Sequence, residues 1–239
     1  MPNSKFLTTA PPTSGSAPPA RPEPSFEEEA ARYCLLRRLA PAIRHHLVGE
    51  FQPIGMVAAM MERRLQAEVP NLASVRENCA SLGSLSRTAA GTSMNLMTWI
   101  SPKGAGASLP LESGVAECLG LLATEFRFRG FVLLNEIRQK EVEVQSTALR
   151  SVLPAALLAM VDAATDPLDI VLTATPQSDT RVQVDIAMRA SDRPAESSSA
   201  PEYRALRWAD VQALANAEKV ELVQTATGAQ MVFTAQTFN

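Results

Sequence analysis

From residue 26 to about residue 68 the chain repeats apolar positions at steps of three and four. Leu36, Leu39, Ala40, Ile43, Leu47, Ile54, Val57, Ala58, Met61 and Leu65 mark them. At about 100° per residue these positions form one stripe along a long helix. Ser25 supplies a capping hydroxyl, and Glu27, Glu28 and Glu29 place negative charge where the helix dipole favours it. Val69-Pro70-Asn71 breaks the pattern. A second helix is predicted over 72–100, with Val75, Cys79, Leu82, Leu85, Ala89, Leu96 and Trp99 on its apolar side. Two long helices joined by a tight turn make an antiparallel hairpin. One hairpin cannot cover both of its stripes, whereas two copies closing a four-helix bundle can, so a homodimer is expected.

The segment 101–106, Ser-Pro-Lys-Gly-Ala-Gly, reads as a linker, and the texture changes after it. Helical patterns are predicted over Glu112–Phe126, over Leu149–Ala164 with Pro154 in the first turn, and over Trp208–Ala217. Strands are predicted over Phe131–Ile137, Asp169–Thr175 and Arg181–Met188, the last alternating as Val182, Val184, Ile186. Val220–Thr225 and Gln230–Thr234 read as a hairpin around Thr227-Gly228, and the Pro/Ser-rich stretch Ser191–Pro201 as a mobile loop. This order predicts an α/β sandwich with helices on one face of a mixed sheet. The expected fold class is therefore α+β: a disordered tail over 1–25, rich in Pro, Ser, Thr and Ala, a helical hairpin over 26–101, and the sandwich over 108–239.

Composition narrows the function classes. With 239 residues, 46% of them hydrophobic, the chain can bury one large or two small cores. A net charge of −3 argues against a nucleic-acid partner held by a basic surface. The sequence holds no uninterrupted apolar run of about 18 residues, so no membrane partner is expected. The first residues lack the positive-then-apolar pattern of a signal peptide, and a cytoplasmic protein is expected. Cys34, Cys79 and Cys118 are scattered, form no CxxC pair and read as reduced, buried thiols. The only histidines are adjacent, which leaves no dispersed cluster for a metal of the chain's own.

Those histidines are the sharpest local feature, in Arg44-His45-His46-Leu47. With Ile43 at the zero of the helical wheel, the apolar stripe centres near 20°. His45 then falls at roughly 200°, away from the stripe, and His46 at roughly 300°, on its flank. An exposed imidazole can reach another molecule, and imidazole in general is a nucleophile near neutral pH. Arg44 could offer an anion donor beside it. The plain alternative is a solvated histidine on a polar helix face.

His45 through Ile54, His-His-Leu-Val-Gly-Glu-Phe-Gln-Pro-Ile, resembles the H-box of the two-component histidine kinases. There the phosphoacceptor is followed by an acid, Leu, a base, Thr or Asn, Pro and Leu. His45 aligns with the phosphoacceptor and Leu47 with the Leu. His46 replaces the acid that serves as base, Glu50 stands where Pro is usual, and Pro53 could supply the kink. The resemblance makes His45 the candidate catalytic residue, with Arg44, His46, Glu50 and Gln52 as accessory or partner-contact residues.

The rest of the chain is similar to the ATPase domain of those kinases. Leu111 through Leu133 looks like its first helix and strand, and Leu157–Ala164 like its N-box helix. The family's two Mg²⁺–ATP asparagines correspond to Ala159 and Ala163, and alanine has no oxygen for a hard cation. Ala190–Ala195 carries neither glycine of the family's Asp-x-Gly-x-Gly loop, and no second glycine box precedes Trp208. Hairpin plus degenerate ATPase domain resembles the dimeric histidine phosphotransferases of phosphorelays, of the ChpT and sporulation phosphotransferase types. That likeness implies no ATP and no cofactor held by this chain. It implies receiver domains of response regulators as partners, bringing the Asp and the Mg²⁺, with a histidine kinase as a further partner. The alternative is a non-catalytic dimeric adaptor that keeps the kinase shape and tunes a kinase or regulator.

Overall fold

The computed structural model describes residues 23–100, 107–191 and 203–237. Residues 1–22 of the expected tail, the 101–106 linker and residues 192–201 of the expected loop lie outside the described residues.

The N-terminal part is helical. Helix α1 spans Phe26–Leu65, capped by the Ser25 hydroxyl, which accepts from the Glu28 N–H at 3.1 Å. It runs as one helix through Pro41 and Pro53. Helix α2 spans Leu72–Ile100 and returns along α1. Leu47, Ile54, Val57 and Met61 of α1 and Val75, Leu82 and Leu85 of α2 are half-buried, and Ala89 and Leu96 are buried. A second set of apolar side chains on the hairpin is open: Val48, Phe51, Met56, Leu72, Met94 and Met97 are each more than half exposed.

A mixed sheet follows, with helices set between its strands in sequence. The elements are β1 (Ser108–Pro110), α3 (Leu111–Phe128), β2 (Val132–Asn135), β3 (Val142–Gln145), α4 (Ser146–Ala163), β4 (Leu168–Ser178), β5 (Arg181–Ala190), α5 (Trp208–Glu218), β6 (Glu221–Thr225) and β7 (Gly228–Thr237). The strand order is β1-β3-β7-β5-β4-β2, with β6 also paired to β7. Only the β2–β4 pair is parallel among the pairs described. Val182, Val184 and Ile186 of β5 face Phe233, Met231 and Ala229 of β7, and all six are buried. Helix α3 ends where Gly130, at φ 81°, lets the Phe131 N–H bond back to the Phe126 carbonyl at 2.8 Å. That turn aims the chain into β2.

The structure corrects several expectations. Strands β1 and β3 are additions, although Val142-Glu143-Val144-Gln145 alternates plainly, with both valines buried. Because β3 runs directly into α4, that helix begins at Ser146 and not near Leu149. Pro154 then sits in the helix interior, not in the first turn. Losing one N–H there is offset by burial, since every residue from Val152 to Val161 is buried. Strand β2 ends at Asn135, whose side-chain oxygen accepts from the Ile137 N–H at 3.0 Å, so Ile137 is core but not strand. Cys34 and Cys118 are buried as expected, while Cys79 is exposed. Ala40, Ala58 and Leu65 are also exposed. Helix α4 is by length and composition apolar enough to cross a membrane, but 78% of it is buried inside this fold.

Candidate functional site

The N-terminal half of α1 belongs to the core of the α/β part. Ala31, Cys34, Leu35, Arg38, Leu39 and Ile43 recur at helical spacing and are buried, where α1 packs on α5, α3 and α4. Arg38 lies on this stripe only 3% exposed. A charge taken that far from water needs partners in good geometry. It has them: Arg38 bonds both carboxylate oxygens of Asp162 on α4, and its Nη2 donates to Glu125 on α3 at 2.9 Å. Asp162, with a side chain 1% exposed, also accepts from Arg129 Nη1 at 2.8 Å and from the Leu206 N–H at 3.1 Å. Burial opposes the charge on Arg38, but the hydrogen bonds and charges of Asp162 and Glu125 outweigh it and raise its pKa. Arg38 therefore keeps its charge, and the cluster ties α1, α3 and α4 together.

Seven residues further along the same helix, about 10 Å in axial rise, is His45. It is exposed, as are Arg44 and Gln52, while Glu50 is half-buried. His46 is half-buried, and its Nε2 lies 3.3 Å from the Gly120 carbonyl of α3. The two imidazole rings stand 6.3 Å apart and nearly perpendicular, at 80°. Of the accessory residues, His46 is the one with a bond to the α/β part among those described. Among the described residues no group of three or more His, Cys, Asp or Glu is placed to hold a metal ion.

A cleft of about 530 Å³ opens between the C-terminal end of α4, the start of α5 and the β6–β7 turn. Ala159 and Ala163, one helical turn apart, both line it. Asp162 lines it too, but its carboxylate is taken up by Arg38, Arg129 and the Leu206 N–H. Asp166, at the cleft, accepts from the Thr165 hydroxyl at 2.9 Å. At the two positions where the kinase resemblance puts its Mg²⁺–ATP oxygens, methyl groups face the cleft. An alanine side chain offers no oxygen to a cation at either position.

Sequence reasoning missed the Arg38–Asp162 cluster. Its signal was Arg38, the second of two adjacent arginines before Leu39, which falls on the apolar side and on a free helix reads as a solvated charge.

No family model matches the chain, and no curated protein does. Solved structures do. A histidine kinase from Burkholderia phymatum is 16% identical, with 86% of this chain and 98% of that one covered, at a TM-score of 0.42. The catalytic domain of the histidine kinase ThkA is 16% identical over 55% of this chain and 95% of that one, at 0.40. A bacterial phosphotransferase is 18% identical over 84% of this chain and 95% of that one, at 0.34. At these identities and TM-scores the neighbours assign neither a family nor an activity to this chain.

Proposed function

We propose that the chain is a histidine phosphotransfer protein that carries a phosphoryl group on His45 between receiver domains, without ATP. One observation carries the reading: His45 is open to solvent on a helix anchored in the protein core, while the cleft beside that core presents Ala159 and Ala163 in place of cation ligands. In the forward step an imidazole nitrogen of His45 attacks the phosphorus of a receiver's aspartyl phosphate. The P–N bond forms, the P–O bond to the aspartate breaks, and the carboxylate leaves with its electron pair. The imidazole N–H proton is given up to solvent after transfer. The reverse sequence on a second receiver frees His45. Magnesium, which neutralises charge on the moving phosphoryl group, comes with the receiver.

We infer a homodimer as the working form, in the cytoplasm with its partners. The open apolar set of Val48, Phe51, Met56, Met94 and Met97 supports it, since apolar side chains left open on a helical hairpin gain from being covered by a partner. A second copy closing a four-helix bundle would cover it.

The adaptor reading keeps one observation in its favour. Where the kinases carry an acid after the phosphoacceptor, this chain has His46, turned toward Gly120. Transfer from an acyl phosphate to neutral imidazole does not need that acid, so the transfer reading is the better supported. Incubation with phosphorylated receiver domains, followed by a search for acid-labile label on histidine, decides between the two. Label on His45 supports transfer, and a wholly unlabelled protein supports the adaptor.

A further inference from the structure

Polar contacts from both helices of the hairpin join it to the α/β part, and two of them are buried or half-buried charge clusters. The first is Arg38 of α1 with Asp162 and Glu125. The second is at the far end of α2, where the Trp99 Nε1–H donates to Glu117 of α3 at 2.9 Å. Glu117 also accepts from Arg150 of α4 at 2.9 Å, and the Arg150 guanidinium lies 5.7 Å from the centre of the Trp99 ring. A single linker, or a single contact, leaves rotation free. Contacts on both helices, with the stripe Ala31–Ile43 buried alongside them, oppose it.

Resting on the phosphotransfer reading, we propose that Arg38 and Asp162, with Trp99 and Glu117, are positioning residues: they hold the α/β part at one attitude to His45. The receiver then meets a preformed surface made of α1 around His45 and α3 around Gly120, and no domain swing accompanies transfer. Asp162 is suited to this role because its carboxylate ties the end of α4 to three places at once: Arg38 of α1, Arg129 just after α3 and the Leu206 N–H before α5. Its neighbour Ala163 stands at the cleft where a nucleotide ligand would be needed, so the end of α4 serves attachment in place of catalysis.

The test has a structural arm and a kinetic arm. Nitroxides are placed on Glu62→Cys and Lys140→Cys in a Cys79→Ser background, diluted with unlabelled protein, and their distance distribution is read by pulsed dipolar spectroscopy. Otherwise unaltered protein should give one narrow distribution. Arg38→Gln leaves Asp162 its bonds to Arg129 and the Leu206 N–H, and combined with Trp99→Phe it should broaden or shift that distribution. In transfer from a phosphorylated receiver, the same pair should raise KM about tenfold while kcat stays within about threefold, the signature of lost pre-positioning. Should that pair fail to fold, Trp99→Phe with Glu117→Gln, at the more exposed contact, takes its place, with a smaller change in the same direction expected. A broad distribution in unaltered protein overturns the proposal, as does an unchanged distribution and KM in the folded variants. If unaltered protein takes no phosphoryl group, the transfer reading fails by itself, and the distance distribution alone decides whether the fixed attitude stands.

Discussion

Arg38 and Asp162 stand 124 residues apart in the sequence and form a buried ion pair, with Nη2 of the arginine 3.1 Å from Oδ1 of the aspartate. The pair joins the helix that carries His45 to the helix that, in the resemblance, would carry the nucleotide ligands. A helix of the hairpin is thereby also a core element of the α/β part.

Asp162→Ala should destabilise the protein strongly. It leaves the guanidinium groups of Arg38 and Arg129 buried beside each other with only Glu125 near both. Removing one side of a buried pair costs about 3–5 kcal/mol. Urea unfolding followed by circular dichroism reads the loss. A change below about 1 kcal/mol, the range of surface ion pairs, would mean the cluster is solvated.

Mg²⁺–ATP should not bind measurably. Ala159 and Ala163 have no oxygen to offer, and Asp162 is already fully engaged. Titration calorimetry reads this directly, and a dissociation constant in the micromolar range contradicts the degenerate-cleft reading.

The hairpin should associate in pairs. Sedimentation should show a dimer at micromolar concentration, and Phe51→Glu, which puts a charge into the open apolar set, should shift it toward monomer. A stable monomer of the unaltered chain contradicts the bundle.

Much of this architecture is legible in the residues themselves. Steps of three and four between apolar positions predict both long helices, and the alternation Val182, Val184, Ile186 predicts a central strand whose three side chains are buried. The placement of His45 outward and His46 on the flank follows from the wheel alone, and the structure has His45 exposed and His46 against Gly120. What the sequence does not show is partnership at long range. The stripe Leu36–Ile43 looks like bundle seam, yet this half of α1 packs on α3, α4 and α5, and its key polar contact is with a residue 124 positions away. Helical periodicity reports that a face is buried, not what buries it. Pro154 misled for a related reason. Proline in a helix interior is unfavourable in isolation, and only the enclosure of α4 on all sides makes it tolerable.

Phosphotransfer through His45 is tested most directly by transfer to histidine in single variants. Purified protein is incubated with a phosphorylated receiver domain, and acid-labile label is followed for the unaltered chain, His45→Ala and His46→Ala. The expected result is label on the unaltered chain, none on His45→Ala, and substantial label on His46→Ala. Both variants should remain folded, since exposed or flanking helix positions changed to Ala move stability by about 0.5 kcal/mol or little more. Label that survives His45→Ala and vanishes in His46→Ala would contradict the assignment of the acceptor, and no label on any of the three would contradict phosphotransfer itself.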